Sequence, residues 1–388
     1  MRALLTMAAY SIVGNTVLAV QPIVVGAMVD LLHFSQRQAG FIAAAELSGF
    51  SLGGACLLTF VHRANRRVIA ISGVALVCVA DVLACLIKSF PLMLVDRSLA
   101  GVGSAVAYAI FPVLAAASAK PERVFGIINA TSIAYAGVFV WIGPTLIAKW
   151  GLPGIYLVMV ALAVLVSPSI FWTPAYGPKS RTALAAGAAH LRGWLAANAN
   201  VLILLVVLVC LYVGHGGIWA YQERIGVAAG IPRAQVGRLL GSSMLIWGVA
   251  GSLLSSWVGL SIGRIWPQII SFGGSIMAAM LLVAGTGPVA YGIACALIAA
   301  SWFFGLPYLT GLLALFDPKG RANIAGMLAS TTGSALGPAV AAILIGYGSG
   351  YPAIGAMAGV CYLLCLVLVL SCLSQLRAAA SKTVEARR

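Results

Sequence analysis

Apolar residues run along the chain in long blocks, interrupted at intervals by short clusters of charge, proline and glycine. A helix that crosses the hydrocarbon core of a bilayer needs about 20 mainly apolar residues. Cutting the sequence at its interruptions predicts twelve such helices, near 3–29, 38–61, 67–88, 91–117, 124–148, 152–173, 196–221, 234–258, 265–285, 287–315, 321–347 and 352–376. One polar interruption is long. It runs from Pro174 to Leu195, carries Lys179, Arg181, His190 and Arg192, and divides the helices six and six. The expected architecture is an all-α polytopic membrane protein of two pseudo-symmetric six-helix bundles, over 1–173 and 196–376. A cytoplasmic central loop over 174–195 joins them, and a cytoplasmic basic tail covers 377–388. Within the loop, Arg181 to Trp194 has the composition of a short helix lying on the membrane surface.

Composition removes the competing classes. Of the 388 residues, 62% are apolar and 8% charged, whereas soluble domains carry about 25% charged residues. Soluble enzymes, nucleic-acid binders and disordered chains are excluded on that ground. The net charge of +15 is then a topology signal, since short cytoplasmic loops accumulate Lys and Arg. With the N-terminus inside, sixteen of the 23 Lys and Arg residues fall on the cytoplasmic side and six outside, with Arg97 within the membrane. Both termini are therefore expected in the cytoplasm, with a bacterial inner (plasma) membrane as the location. The first apolar run, Ala3 to Leu31, is too long for the apolar core of a signal peptide. All eight cysteines lie in apolar stretches without CxxC or Cys/His spacing, so neither a disulfide framework nor a metal site is expected. No HExxH or GxxxxGK[ST] occurs, which leaves metalloprotease and ATP-driven activities without support. Gly259-Leu-Ser261-Ile-Gly263 matches the GxSxG of hydrolases, but that elbow needs a strand and a helix in a soluble sheet. Here it falls at a helix end. The expectation is a non-enzyme without cofactor, and a monomer.

The two halves echo one another. Gly126, Asn129 and Gly143-Pro144 recur as Gly320, Asn323 and Gly337-Pro338, each displaced by 194 residues; Phe111-Pro112 recurs as Leu306-Pro307, displaced by 195. Two parallel six-helix halves with a substrate path between them is an established transporter plan. Three sequence elements carry a closer resemblance. The second interhelical loop, Leu58 to Arg67, reads LTFVHRANRR; the start of the fourth helix reads Arg97-Ser-Leu-Ala-Gly101-Val-Gly103; and two helices end in Gly-Pro. In these the chain resembles the major facilitator superfamily over essentially its whole length. That family's loop reads like G-x-L-a-D-R-x-G-R-[KR]. Arg63, Arg66 and Arg67 match it as gating-loop residues, while His62 stands at the aspartate position and Leu58 and Asn65 at the glycines. The fourth-helix segment resembles the family's R-x-x-x-G-x-G element. The resemblance implies a substrate path lined by the first, fourth, seventh and tenth helices.

Charged side chains near the bilayer centre cost about 2.5–3.5 kcal/mol on insertion scales, so they should face protein or a wet cavity. Glu46, Asp81 and Arg97 lie roughly 12, 10 and 9 Å from the outer ends of the second, third and fourth helices, at 1.5 Å per residue. Three groups of opposite sign thus reach similar depth in one bundle. They are candidates for proton coupling, because desolvation disfavours a carboxylate and a nearby guanidinium favours it. A static ion pair joining three helices is the alternative. Asp96 sits about 100° around the helix from Arg97 and is expected to be the poorer partner. Glu46 also lies near the face of Gly49 and Gly53, a GxxxG spacing suited to close helix packing.

Candidate substrate-path residues are Tyr10, Asn15 and Gln21 on the first helix, Arg97 and Tyr108 on the fourth, Tyr212, His215 and Trp219 on the seventh, and Trp302 and Tyr308 on the tenth. Tyr212, His215 and Trp219 share one helix face at i, i+3 and i+7, though Trp219 also suits an interfacial belt. In the second half, Glu223 and Asp317 lie at helix ends, so proton chemistry is expected in the first. The expected function is secondary transport of a small organic solute, driven by protons, as an efflux antiporter or an organic-anion symporter. An uncoupled facilitator or lipid flippase, and a non-transporting receptor or scaffold, are the alternatives. The partners are then the solute, protons and the lipid bilayer, and not nucleic acid.

Overall fold

The computed structural model describes residues 2–60, 65–116, 118, 121–174, 198–284, 287–316 and 321–385. Each apolar block is helical. The first half holds α1 (Arg2–Leu31), α2 (Gln36–Phe60), α3 (Arg66–Ala84), α4 (Phe90–Tyr108), α5 (Ile110–Ala116) and α6 (Pro121–Val166), which ends in a 3-10 turn at Ser167–Trp172. The second holds α7 (Ala199–Ala228), α8 (Arg233–Ser242), a π-helical segment at Ser243–Gly248, and α9 (Val249–Val258). It continues through α10 (Ile265–Ala284), α11 (Gly287–Phe316), α12 (Arg321–Gly346) and α13 (Gly350–Glu385). No strand occurs among the described residues. The central loop, including the expected surface helix over 181–194, lies outside the described residues, as does Arg63.

Eleven apolar helical runs are long enough to cross a membrane, against the twelve expected, and the difference is one junction. Arg123–Trp172 is a single run of 50 residues, about 75 Å if straight at 1.5 Å per residue. It is not straight. Gly151, at φ 65° and ψ −163°, interrupts it in a backbone region that only glycine enters without strain. The chain then doubles back along α1. Before the break, Ser132 Oγ hydrogen-bonds with Ser11 Oγ at 2.8 Å. After it, Thr173 Oγ1 meets the Tyr10 hydroxyl at 2.6 Å and the Ser169 carbonyl accepts from Thr6 Oγ1 at 3.4 Å. The run therefore supplies the fifth and sixth crossings. With twelve crossings, both termini emerge at one end of the bundle, the termini end; the opposite end is the far end.

Proline acts as its chemistry dictates. Pro112 has no N–H for the Tyr108 carbonyl and its ring crowds that carbonyl, and the fourth crossing breaks at Ala109 between α4 and α5. Its repeat partner Pro307 lies inside an unbroken α11. The Gly-Pro pairs are packing elements with matching roles in the two halves. A methyl on Gly143 of α6 would lie 3.1 Å from Ile23 of α1, and one on Gly337 of α12 would lie 2.7 Å from the Gly217 nitrogen of α7. The turn at Gly259–Gly263 joins two crossings, with positive φ at both glycines and Ser261 Oγ donating to the Val258 carbonyl at 2.7 Å; it has no elbow geometry. The helix expected to end near 376 continues to Glu385, so the described part of the basic tail is helical.

The second and fourth crossings meet backbone to backbone. A methyl on Gly49 would overlap the Ser98 carbonyl oxygen, and one on Gly101 would overlap that of Glu46. Backbone cannot swing aside as a side-chain tip can, so Gly101→Ala forces α2 and α4 apart. Overpacking of this kind costs about 1–3 kcal/mol. The expected result is a lower unfolding temperature of the purified protein in detergent than for Ala100→Gly on the same helix.

Candidate functional site

The α2–α4 seam sets the depth of the charged cluster. Gly101 brings α4 against the Glu46 carbonyl, one turn beyond Arg97, so the Arg97 side chain enters the space between α2, α3 and α4. Its Nη1 donates to Asp81 Oδ1 at 2.8 Å and to Glu46 Oε1 at 3.4 Å. Its Nε and Nη2 donate to Asp96 Oδ2 at 2.9 and 2.8 Å. The Tyr156 ring of α6 covers the guanidinium, 4.6 Å from its carbon. All four charged residues are buried, Arg97 at 1% exposure and Asp81 at 0%. The structure thus brings Glu46, Asp81 and Arg97 together and corrects the place of Asp96. The guanidinium turns back along its own helix, and Asp96 takes two of its four hydrogen bonds. Asp96 was expected to be the poorer partner and Tyr156 was not singled out in the sequence. Asp96 is one of only eight acidic residues in the chain, and that scarcity was the available signal.

A cavity of about 680 Å³ lies between the halves, within the range of small-molecule sites. Its walls come from α1 (Asn15, Leu18), α2 (Leu47, Phe50, Ser51), α4 (Tyr108), α7 (Leu208, Tyr212), the last turns of α11 (Pro307 to Ala314) and the first turns of α12 (Gly326 to Ser334). The α11 and α12 positions place it toward the termini end. The family resemblance implied walls from the first, fourth, seventh and tenth crossings; the second and eleventh contribute as well. Among the described lining residues none is charged.

Of the ten sequence candidates for the path, Asn15, Tyr108 and Tyr212 line the cavity. The other seven are engaged elsewhere. Tyr10 is tied to Thr173. Gln21 donates to the Ala43 carbonyl at 3.4 Å, a contact between α1 and α2. Arg97 is held by its carboxylates. His215 stacks on Trp302 with ring centroids 3.7 Å apart, and Tyr212 meets that indole edge-on at 4.8 Å. Tyr308 donates to the Ser255 carbonyl at 3.3 Å. Trp219 is not an interfacial belt residue: its Nε1 donates to the Leu18 carbonyl at 2.7 Å, joining the halves on the far side of the cavity. Of the gating-loop residues, Arg67 Nε donates to the Thr173 carbonyl at 2.7 Å, which fastens the start of α3 to the end of the sixth crossing. Arg66 is buried.

The far end is locked across the halves. Asp30, in the last turn of α1, pairs with Arg224 of α7 at 2.8 Å and with Arg233 of α8, whose Nε also donates to Glu223 at 2.6 Å. Glu223 is fully buried and rests against α1 at Gly26, where a methyl would overlap its Oε2. Glu223, expected at a helix end, thus lies inside α7, which runs on to Ala228. Tyr221 adds a donation to the Gln36 carbonyl at 2.7 Å.

Two bundles of six crossings, a cavity on their shared face and a lock across one end define a multi-pass membrane transporter, not an enzyme. The chain belongs to the Major Facilitator Superfamily, whose sequence profile matches residues 3–332. A search of curated proteins finds no match. Among solved structures, a mutant of the nucleoside transporter NupG has the same fold at a TM-score of 0.79 and 11% identity, covering 96% of this chain and 99% of that one. A D-xylose-proton symporter matches at a TM-score of 0.68 and 13% identity, covering 94% of each chain.

Proposed function

We propose that the protein is a proton-coupled secondary transporter of a small organic solute that works by alternating access, and that the structure is its inward-open state. The observation that carries this reading is the asymmetry of the interface between halves. One end is fastened by Asp30, Arg224, Arg233 and Glu223, while the cavity lies toward the other. The excess of Lys and Arg in loops at the termini end makes that end cytoplasmic. Two far-end cations that weigh against this count, Arg224 and Arg233, are paired with Asp30 and Glu223.

Protons enter through charge balance. Three carboxylates around one guanidinium leave two uncompensated negative charges in a buried site, where unpaired charge costs several kcal/mol. A proton on one of them halves that excess. Glu46 is the residue to carry it, since at 3.4 Å it has the longest contact with Arg97 and Leu47, its neighbour on α2, lines the cavity. Proteoliposomes loaded with a pH-sensitive dye test the reading. Addition of a transported solute should move protons, and solute should accumulate only under an imposed pH gradient. Non-concentrative flux indifferent to the gradient rejects coupling. Glu46→Gln should flatten the pH dependence of accumulation, and an unchanged profile removes Glu46 from the proton path.

A further inference from the structure

Five hydroxyls in the cavity wall have already given away their protons. Ser330 Oγ donates to the Gly326 carbonyl at 2.8 Å, Ser334 Oγ to that of Ser330 at 3.0 Å, and Thr331 Oγ1 to that of Leu328 at 3.1 Å. Ser51 Oγ donates across the halves to the Thr331 carbonyl at 2.9 Å, and Thr310 Oγ1 to that of Pro307 at 3.0 Å. A carbonyl only accepts, so the direction of each bond is fixed. A hydroxyl has one proton and two lone pairs. Toward any further partner each of these oxygens is therefore an acceptor alone.

The wall's remaining donors are few. They are the hydroxyls of Tyr108 and Tyr212 and the amide of Asn15, whose Nδ2 donates to Ser11 Oγ at 3.2 Å. Nothing cationic lines the space among the described residues. Arg97 is spent on three carboxylates and His215 is stacked against Trp302, so neither lines the wall. An anion placed there would lose its hydration for a few neutral donors and no cation, and buried charge left unpaired is costly. A full cation would find acceptors but no carboxylate to balance it.

We propose that the transported solute is uncharged and rich in O–H or N–H donors, with a flat or apolar face that packs on Phe50, Tyr108 and Tyr212. Polyols, sugars and nucleosides are the chemical class that fits. The inference rests on the transport reading above and refines its substrate. It is tested on the purified full-length protein by thermal stabilisation. The panel comprises polyols, monosaccharides and nucleosides, each with an anionic counterpart (glucose with glucuronate, uridine with uridine 5′-monophosphate) and an O-methylated counterpart. At least one uncapped neutral compound should stabilise the protein, and neither its anionic nor its O-methylated form should. Equal or greater stabilisation by either counterpart, or none by any neutral compound, overturns the inference. For the compound that binds, Ser334→Ala and Thr310→Val should each raise Kd about fivefold, the worth of one neutral hydrogen bond; both protons go to carbonyls of their own helix, so the fold survives their loss. Unchanged affinity in both variants removes the acceptor wall from recognition. Proteoliposome flux separates the two readings. An anionic probe that is transported rejects this inference and keeps the transporter, whereas a neutral probe that binds without flux keeps the inference and rejects transport.

Discussion

Arg97→Ala should reduce pH-gradient-driven accumulation to the level of empty liposomes. One guanidinium serves Asp81, Asp96 and Glu46 and is covered by Tyr156, so its removal strands three buried acids from three helices. Breaking a buried ion pair by deleting one partner costs about 3–5 kcal/mol, a large part of the stability of any domain. The alanine variant could therefore fail for structural reasons alone, and Arg97→Lys distinguishes the causes. Lysine keeps the charge and inserts the same stem, but a point charge cannot reproduce the planar fork that reaches carboxylates on opposite sides. Arg97→Lys should run as a monodisperse species on size exclusion, with accumulation lower by roughly tenfold or more, the effect of about 1.4 kcal/mol. Its pH profile should shift, because the charge balance that sets proton occupancy has moved. A lysine variant that accumulates solute normally with an unshifted profile would show that the cluster only holds helices together.

Loss of the far-end lock should have the second large effect, and in a different observable. Asp30→Asn removes the acid shared by Arg224 and Arg233. The side chains are partly exposed, Asp30 at 36% and Arg233 at 24%, so these pairs are weaker than those of Arg97. About 1–2 kcal/mol is a reasonable scale, and it shifts a two-state population by a factor of roughly 5–30. The sign follows from where the pairs sit: they exist only when the far end is closed, so their loss favours the state open at that end. Spin labels at Leu31 and Ala229, one on each half, should report a longer distance population that grows in Asp30→Asn. Gly26→Ala should act in the same direction, because its methyl displaces the buried Glu223 carboxylate from α1. Distance distributions identical to the parent in both variants would mean that packing, and not these charges, keeps the end shut.

The Arg97 cluster and the cavity are linked through the same helices. Glu46 and the cavity residues Leu47, Phe50 and Ser51 share α2, and Arg97 and Tyr108 share α4 and its end. A change of protonation at the cluster that alters the α2–α4 seam is felt at the cavity wall, through backbone contacts as close as Gly49 to Ser98. The proposed proton and solute sites therefore need no direct contact to influence one another.

The lengths of the apolar blocks, the scarcity of charge and one long polar interruption determined the class of this protein, the twelve crossings and their division into halves, because burying a helix in lipid imposes a length and a composition that are written locally. They also marked Glu46, Asp81 and Arg97, since depth along a helix is a matter of counting. What they could not provide was rotation and neighbourhood. Asp96 was set aside on helical angle, yet a flexible guanidinium reaches back to it; Glu223 looked like a helix end, yet it is buried, bonded to Arg233 and seated against Gly26 of the other half. The candidates Tyr10, Gln21 and Tyr308 have the right chemistry on helices of the path but turn to other partners. The acceptor character of the wall was furthest from view. Serine and threonine read the same in a sequence whether their protons are free or donated, and only the packed helices decide where each one goes.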